Sequence, residues 1–207
     1  MTVIRLADAT RDAVAVTKIY KPYVLNSAIS FETVAPSTRE METRISLVLP
    51  FAPWLVFERD GEILGYAYAS RHRDRAAYQW SVDTAVYIRN TSHRQGIGRA
   101  LYTSLIGLLR LQGFYAAHAG VTLPNPGSVG LHETMGFRQI GVYPRVGYKN
   151  NQWHDVGWWQ LPLQECFECP LAPRPTADAQ RDSPHWDTIL ASGMLKRRAD
   201  ETVHSTI

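Results

Sequence analysis

The chain has 207 residues, 45% hydrophobic and 20% charged, the balance of a globular protein with one sizeable core, which excludes an extended disordered chain. Its 22 Lys and Arg against 19 Asp and Glu leave a formal charge of +3, too slight for a nucleic-acid surface, with Lys196-Arg197-Arg198 the one basic run that stands out. No apolar run approaches the roughly 18 residues of a membrane span, and the start Met1-Thr2-Val3-Ile4-Arg5 lacks a signal-peptide pattern, so a cytoplasmic protein is expected.

Val3 to Leu6 reads as an opening strand, after which Asp8 or Thr10 caps a helix from Arg11 to about Val24, limited or kinked by Pro22. Ser37 opens a second helix through Val48, with Glu40 at capping-box spacing, and Pro50 and Pro53 end it. Trp54 to Arg59 and Glu62 to Ser70 are β-rich runs joined by the hairpin signal Asp60-Gly61. After a basic loop, Tyr78 to Ile88 reads as a long strand. A helix then runs from the Gly96-Ile97-Gly98 turn through Leu111, with Ala100, Leu101, Leu105, Leu108 and Leu109 at helical spacing, and closes on Gln112-Gly113.

Ala116 to Leu123 is another strand, Pro124 to Ser128 opens a helix to Met135, Gly136-Phe137 turns into a strand reaching Tyr143, and Val156 to Leu163 is the last strand. This order predicts an α+β fold, a mixed and mostly antiparallel sheet flanked by helices. Residues 1–169 are expected to form the domain. Residues 170–207, rich in Pro, Ala, Asp and Arg, read as a C-terminal tail with one short helix around Trp186 to Leu195, and deleting residues 172–207 is expected to leave catalysis largely intact. Cys166 and Cys169 form a lone Cys-x-x-Cys without the further ligands zinc needs, so they read as reduced thiols and no metal is expected.

A strand, a Gly-rich turn and a helix make an anion cradle, because the first N–H groups of a helix have no internal partner and its dipole favours negative charge there. Gly96 and Gly98 let backbone approach a phosphate, and His93, Arg94 and Arg99 add actual or potential positive charge. The spacing departs from a Walker loop and from a dinucleotide fingerprint. It resembles the Gln/Arg-x-x-Gly-x-Gly/Ala pattern of the GNAT superfamily, with His93 at the first position. Asn125, Ser128, Leu131-His132-Glu133 and Gly136-Phe137 match the second half of that pattern.

Over residues 3–163 the chain resembles the phosphinothricin N-acetyltransferases and the methionine sulfoximine and methionine sulfone acetyltransferases. The shared signs are Ile29-Ser30-Phe31-Glu32, Arg75 to Trp80, Leu123-Pro124-Asn125, Ser128 to Glu133 and Gly147 to Gly157. The resemblance implies a GNAT fold, acetyl-CoA as cosubstrate and transfer of its acetyl group, by direct attack in a ternary complex, to the α-amino group of a small amino acid or analogue.

It places the pyrophosphate on the backbone of Arg94, Gln95, Gly96, Ile97, Gly98 and Arg99, and the pantetheine arm beside Asn125, Ser128 and the strand at Val86, Tyr87 and Ile88, which also supplies an oxyanion donor. Asp83 matches the carboxylate that takes the amine's proton, where the family often carries Glu, and His132 the group that protonates the leaving thiolate. The substrate's acidic groups call for Arg73, Arg75 and Tyr78, with Phe31 as an apolar wall. The other histidines receive no catalytic role, and His154 is expected to order structure. A homodimer is implied, with Trp153, Trp158 and Trp159 as apolar surface. Acetylation of peptide or protein N-termini, or non-catalytic acyl-CoA binding, are the competing readings.

Overall fold

The computed structural model describes residues 1–194; the basic run at Lys196 and the end of the expected last helix lie outside the described residues. The elements are β1 (Thr2–Leu6), α1 (Ala9–Asn26), α2 (Thr38–Val48), β2 (Trp54–Arg59), β3 (Glu62–Arg71), β4 (Ser81–Ile88), α3 (Ile97–Gln112), β5 (Ala116–Leu123), α4 (Pro126–Thr134), β6 (Arg138–Lys149), β7 (Gln152–Pro162) and α5 (Thr176–Asp182). The strands form one sheet in the order β1-β2-β3-β4-β5-β7-β6. Every neighbouring pair is antiparallel except β4 with β5.

Local chemistry sets the boundaries. Asp8 caps α1 by accepting from the Arg11 N–H, and α1 continues through Pro22 to Asn26. Ser37 and Glu40 form the complete capping box at the start of α2. Alternation along β3 divides the core: Ala67 and Ala69 face a cluster built on α3, while Tyr66 and Tyr68 face a second cluster under α1 and α2. Trp54 stacks on Tyr68 with ring centroids 4.2 Å apart in that second cluster.

Two boundaries depart from the sequence expectation. The strand expected from Tyr78 starts at Ser81, because residues 76–78 form a 3-10 turn closed by the Tyr78 N–H donating to the Arg75 carbonyl. The expected strands to Tyr143 and from Val156 are longer, forming a hairpin that turns at Asn150 and Asn151, with φ of 50° and 61°. Asn tolerates that left-handed conformation better than most residues, which suits the pair to a two-residue turn.

Residues 170–194, expected to trail away, pack on the domain. The Trp80 indole donates to the Leu171 carbonyl, Gln112 donates to the carbonyls of Phe51 and Arg174, and Ser104 donates to the Leu190 carbonyl. Ala179 and Trp186 are buried in the α3 cluster, and a last helical stretch over residues 186–194 lies along α3. The approach is so close that a Cβ on Gly193 would meet the Ala100 carbonyl oxygen at 2.0 Å. Cys166 and Cys169 are exposed free thiols before this segment.

Candidate active site

The one parallel pairing ends early. β4 and β5 are in register only from Ser81–Ala116 to Asp83–His118. Beyond that point the strands diverge, and a cleft of about 530 Å³ extends from β4 to the start of α4. Val86 and Ile88 line one side of it, Asn125 and Ser128 the other, and the turn from Arg94 through Arg99 closes its end.

That turn has the backbone of an anion cradle. Arg94 and Gly96 take φ of 59° and 74°, and no side chain caps the first N–H groups of α3. A helix start of this kind favours an anion. Gly96 is needed for its left-handed conformation. Gly98 is needed for space, since a Cβ there would stand 3.1 Å from a Leu131 methyl. Asn125 caps α4 by accepting from the Ser128 N–H at 3.1 Å.

Nine of the residues expected to hold the cofactor thus line one cleft: Val86, Ile88, Arg94, Gly96, Ile97, Gly98, Arg99, Asn125 and Ser128. Tyr87 and Gln95 do not. Alternation turns Tyr87 to the other sheet face, edge-on to Tyr20 at 4.9 Å and to Tyr23 at 5.2 Å, and Gln95 accepts from Arg59. The cleft also takes Tyr23 and Ile29, which the sequence reading missed. The Tyr23 hydroxyl donates to the Ile88 carbonyl and meets His93 Nε2 at 2.8 Å, contacts too distant in sequence to leave a motif.

His132 is buried on α4, with both ring nitrogens engaged. Nδ1 lies 2.7 Å from the Ser128 carbonyl, an acceptor, so it carries the hydrogen, and Nε2 accepts from the Tyr102 hydroxyl at 3.0 Å. Tyr102 also meets the Thr84 hydroxyl on β4. The histidine is therefore joined to the diverging strand through tyrosine and does not line the cleft itself. Burial lowers its pKa, against the opposing effect of the Ser128 bond.

Asp83 stands at the last registered pair of the fork. Its neighbour Val82 faces the α3 cluster, so Asp83 faces the opposite side, where His72 Nδ1 lies 2.7 Å from its Oδ1. His118, across the fork, stacks on the His72 ring at 4.4 Å. Neither histidine was singled out by the sequence, where each is an isolated residue. Tyr78 packs edge-on to His72 at 5.9 Å, and Arg73 donates to the His72 carbonyl, so these two expected substrate residues adjoin Asp83. Arg75 is exposed, bonded through its carbonyl to the Tyr78 N–H, and Phe31 packs over Gly147 and tilted to His154 at 6.1 Å. His154 donates from Nε2 to the Lys149 carbonyl at 3.0 Å, the ordering contact expected of it. On this face a second cavity of about 280 Å³ is walled by Tyr20, Arg44, Trp54, Tyr68 and Ser70, and Ser70 pairs with Asp83 across β3 and β4.

The family model described as an acetyltransferase (GNAT) domain matches residues 4–158. A phosphinothricin N-acetyltransferase of Streptomyces viridochromogenes is 39% identical over 164 residues, which are 79% of this chain and 87% of that protein. An L-methionine sulfoximine/L-methionine sulfone acetyltransferase of Salmonella typhimurium is 33% identical over 164 residues, 78% of this chain and 95% of its own. The crystal structure of a GNAT superfamily phosphinothricin acetyltransferase from Sinorhizobium meliloti, in complex with acetyl-CoA, superposes with a TM-score of 0.76 at 32% identity, covering 82% of this chain and 95% of that one.

Proposed function

Because this chain belongs to the GNAT acetyltransferases, as an acetyl-CoA-dependent N-acetyltransferase, we propose that it acetylates the α-amino group of a small amino acid or analogue of the phosphinothricin or methionine sulfoximine type. The observation that carries the reading is the fork between β4 and β5, with a phosphate cradle at one end and Asp83 at the other.

Acetyl-CoA fits the cleft: the uncapped start of α3 and the cations Arg94 and Arg99 suit a pyrophosphate, and the divided strands leave β4 backbone for an amide-bearing arm. When bound, it supplies the activated acetyl group. The chain's residues do the rest. An ammonium must lose a proton before it attacks, and the Asp83–His72 pair takes it. His132, joined to β4 through the Tyr102 hydroxyl that donates to its Nε2, is the group proposed to handle the proton of the departing sulfur. Arg73 and Tyr78 adjoin the pair and meet the substrate's acidic groups.

The cavity at Ser70, about 280 Å³, lies at or below the small end of ligand pockets, roughly 300 to 1,000 Å³. It supports an amino acid over a peptide. Two copies are proposed to pair through the exposed side of β6 and β7. The deciding experiment is coenzyme A release with phosphinothricin, methionine sulfoximine, methionine sulfone, ordinary amino acids and short peptides. Turnover confined to amino acids or their analogues is expected, and turnover of peptides alone would replace the reading with N-terminal acetylation.

A further inference from the structure

We infer that the atom receiving the ammonium proton is Nε2 of His72, and that Asp83 is the residue that positions this imidazole. The inference rests on the acetyl-transfer reading above and names the base within it. A carboxylate only accepts, so the 2.7 Å contact puts the hydrogen of His72 on Nδ1 and leaves the lone pair on Nε2. With Oδ1 engaged in this way, the short Asp83 side chain becomes an anchor for the ring.

The ring is held from several sides. His118 stacks on it at 4.4 Å and 22°, Trp158 meets it edge-on at 6.4 Å and Tyr78 at 5.9 Å. His118 is itself buried, and its Nδ1 has no hydrogen-bond partner. Burial first, and then the nearby His72, lower the pKa of His118. The buried His118 ring is thus a poor seat for a positive charge. The titratable and charged groups facing His72 among the described residues are Asp83 from β4, His118 from β5, and Arg73 and Tyr78 from the connection after β3, with Tyr68 of β3 behind Asp83. Only Asp83 carries a charge that favours an imidazolium.

The chemistry selects the same atom. Carboxylic acids ordinarily titrate near ~4 and imidazole near ~6.5, so imidazole is the closer match to an amine and the less uphill acceptor. The N–H bond of the ammonium breaks and its proton goes to Nε2, giving an imidazolium paired with the Asp83 carboxylate. The freed nitrogen lone pair forms the C–N bond to the acetyl carbon as the C–S bond breaks. Sulfur leaves with the electron pair of the C–S bond and takes up one proton, balanced by the second proton that the acylated nitrogen gives up as the amide forms, and the imidazolium returns the first to solvent.

The test uses the full chain and the amino acid that the wild type turns over best, with and without EDTA because His72, Asp83 and His118 offer ligand atoms within 4.8 Å of one another. His72→Gln should lower kcat/KM roughly a hundredfold, leave the Kd of acetyl-CoA nearly unchanged and remove the limb of the pH profile in which activity rises as imidazole deprotonates. Asp83→Asn should lose about as much, and the double variant no more, since the two act as one unit. His72→Gln near wild-type activity beside a crippled Asp83→Asn would make Asp83 the base and overturn the inference, as would wild-type activity abolished by EDTA. Nitrogen-15 spectra of the histidines supply a second measurement. They should show His72 at neutral pH with hydrogen on Nδ1, and hydrogen on Nε2 instead would overturn the inference even if no amino acid were turned over. The latter outcome of the substrate panel would by itself remove only the substrate reading.

Discussion

At the scale of single residues, His132 ties acid stability to the site. Its ring is buried and neutral, with a pKa lowered chiefly by burial, whereas in the unfolded chain it titrates near the ordinary ~6.5. As pH falls through that value, the unfolded chain takes up a proton that the folded one refuses. Stability is therefore whole above about 6.5 and declines below it until the folded pKa is passed, by at most ~1.4 kcal/mol per pH unit for one group. His118, lowered in the same direction, adds to the decline. Thermal melts between pH 7 and pH 5 should show a smaller fall for His132→Gln than for the wild type, and equal falls would take His132 out of the account. The place of Asp83 on the strand was legible because it sits within a recognisable stretch before the Gly-rich turn. His72 and His118 were not, because only the β3–β4 and β4–β5 registers bring them to Asp83, and no local pattern encodes a register between distant strands.

Among the elements, helices and hairpins with chemical punctuation were readable from the sequence: the capping box at Ser37, the Asp60-Gly61 turn, and the glycines bounding α3. The Asn150-Asn151 turn carried the same kind of signal but sat inside a stretch read only as a motif. The last segment was misjudged for a different reason. Its polar, proline-bearing composition suggests a tail, yet a few apolar side chains at the right places, Ala179 and Trp186 foremost, bury it on α3. Removing residues 172–207 should therefore destabilise the fold. Truncating one buried Trp side chain typically costs ~3–5 kcal/mol, a large share of the ~5–15 kcal/mol that holds a typical domain together. The deletion should lower Tm by many degrees and reduce soluble yield, contrary to the sequence expectation; an unchanged melting curve would show that the segment only rests on the surface.

For the molecule as a whole, the sheet order leaves β6 at one edge, and its outer surface is apolar. Ile140, Val142, Tyr143, Val146 and Tyr148 are exposed, with Trp153 of β7 beside them. The sequence had looked to Trp153, Trp158 and Trp159 for this surface. Trp159 lies in the core at 2% exposure and cannot serve. An edge strand with so much apolar area is a liability unless something covers it, and the proposed second copy would do so with a self-complementary contact. Sedimentation at micromolar concentration should give twice the 23.4 kDa of one chain, and Val142→Asp should shift it toward one; a wild-type monomer would end the proposal.

The early end of the β4–β5 pairing has a consequence for breathing motions. From Thr84 to Ile88, β4 lies in the middle of the sheet order yet has a strand partner only on its β3 side. Backbone hydrogens there that point away from β3 should trade with solvent as those of an edge strand would, in the interior of the domain, which hydrogen exchange would measure. In the proposed binding mode the reactant arm between the strands would act as a temporary strand, so the sheet would have its fullest set of bonds only while the protein is at work.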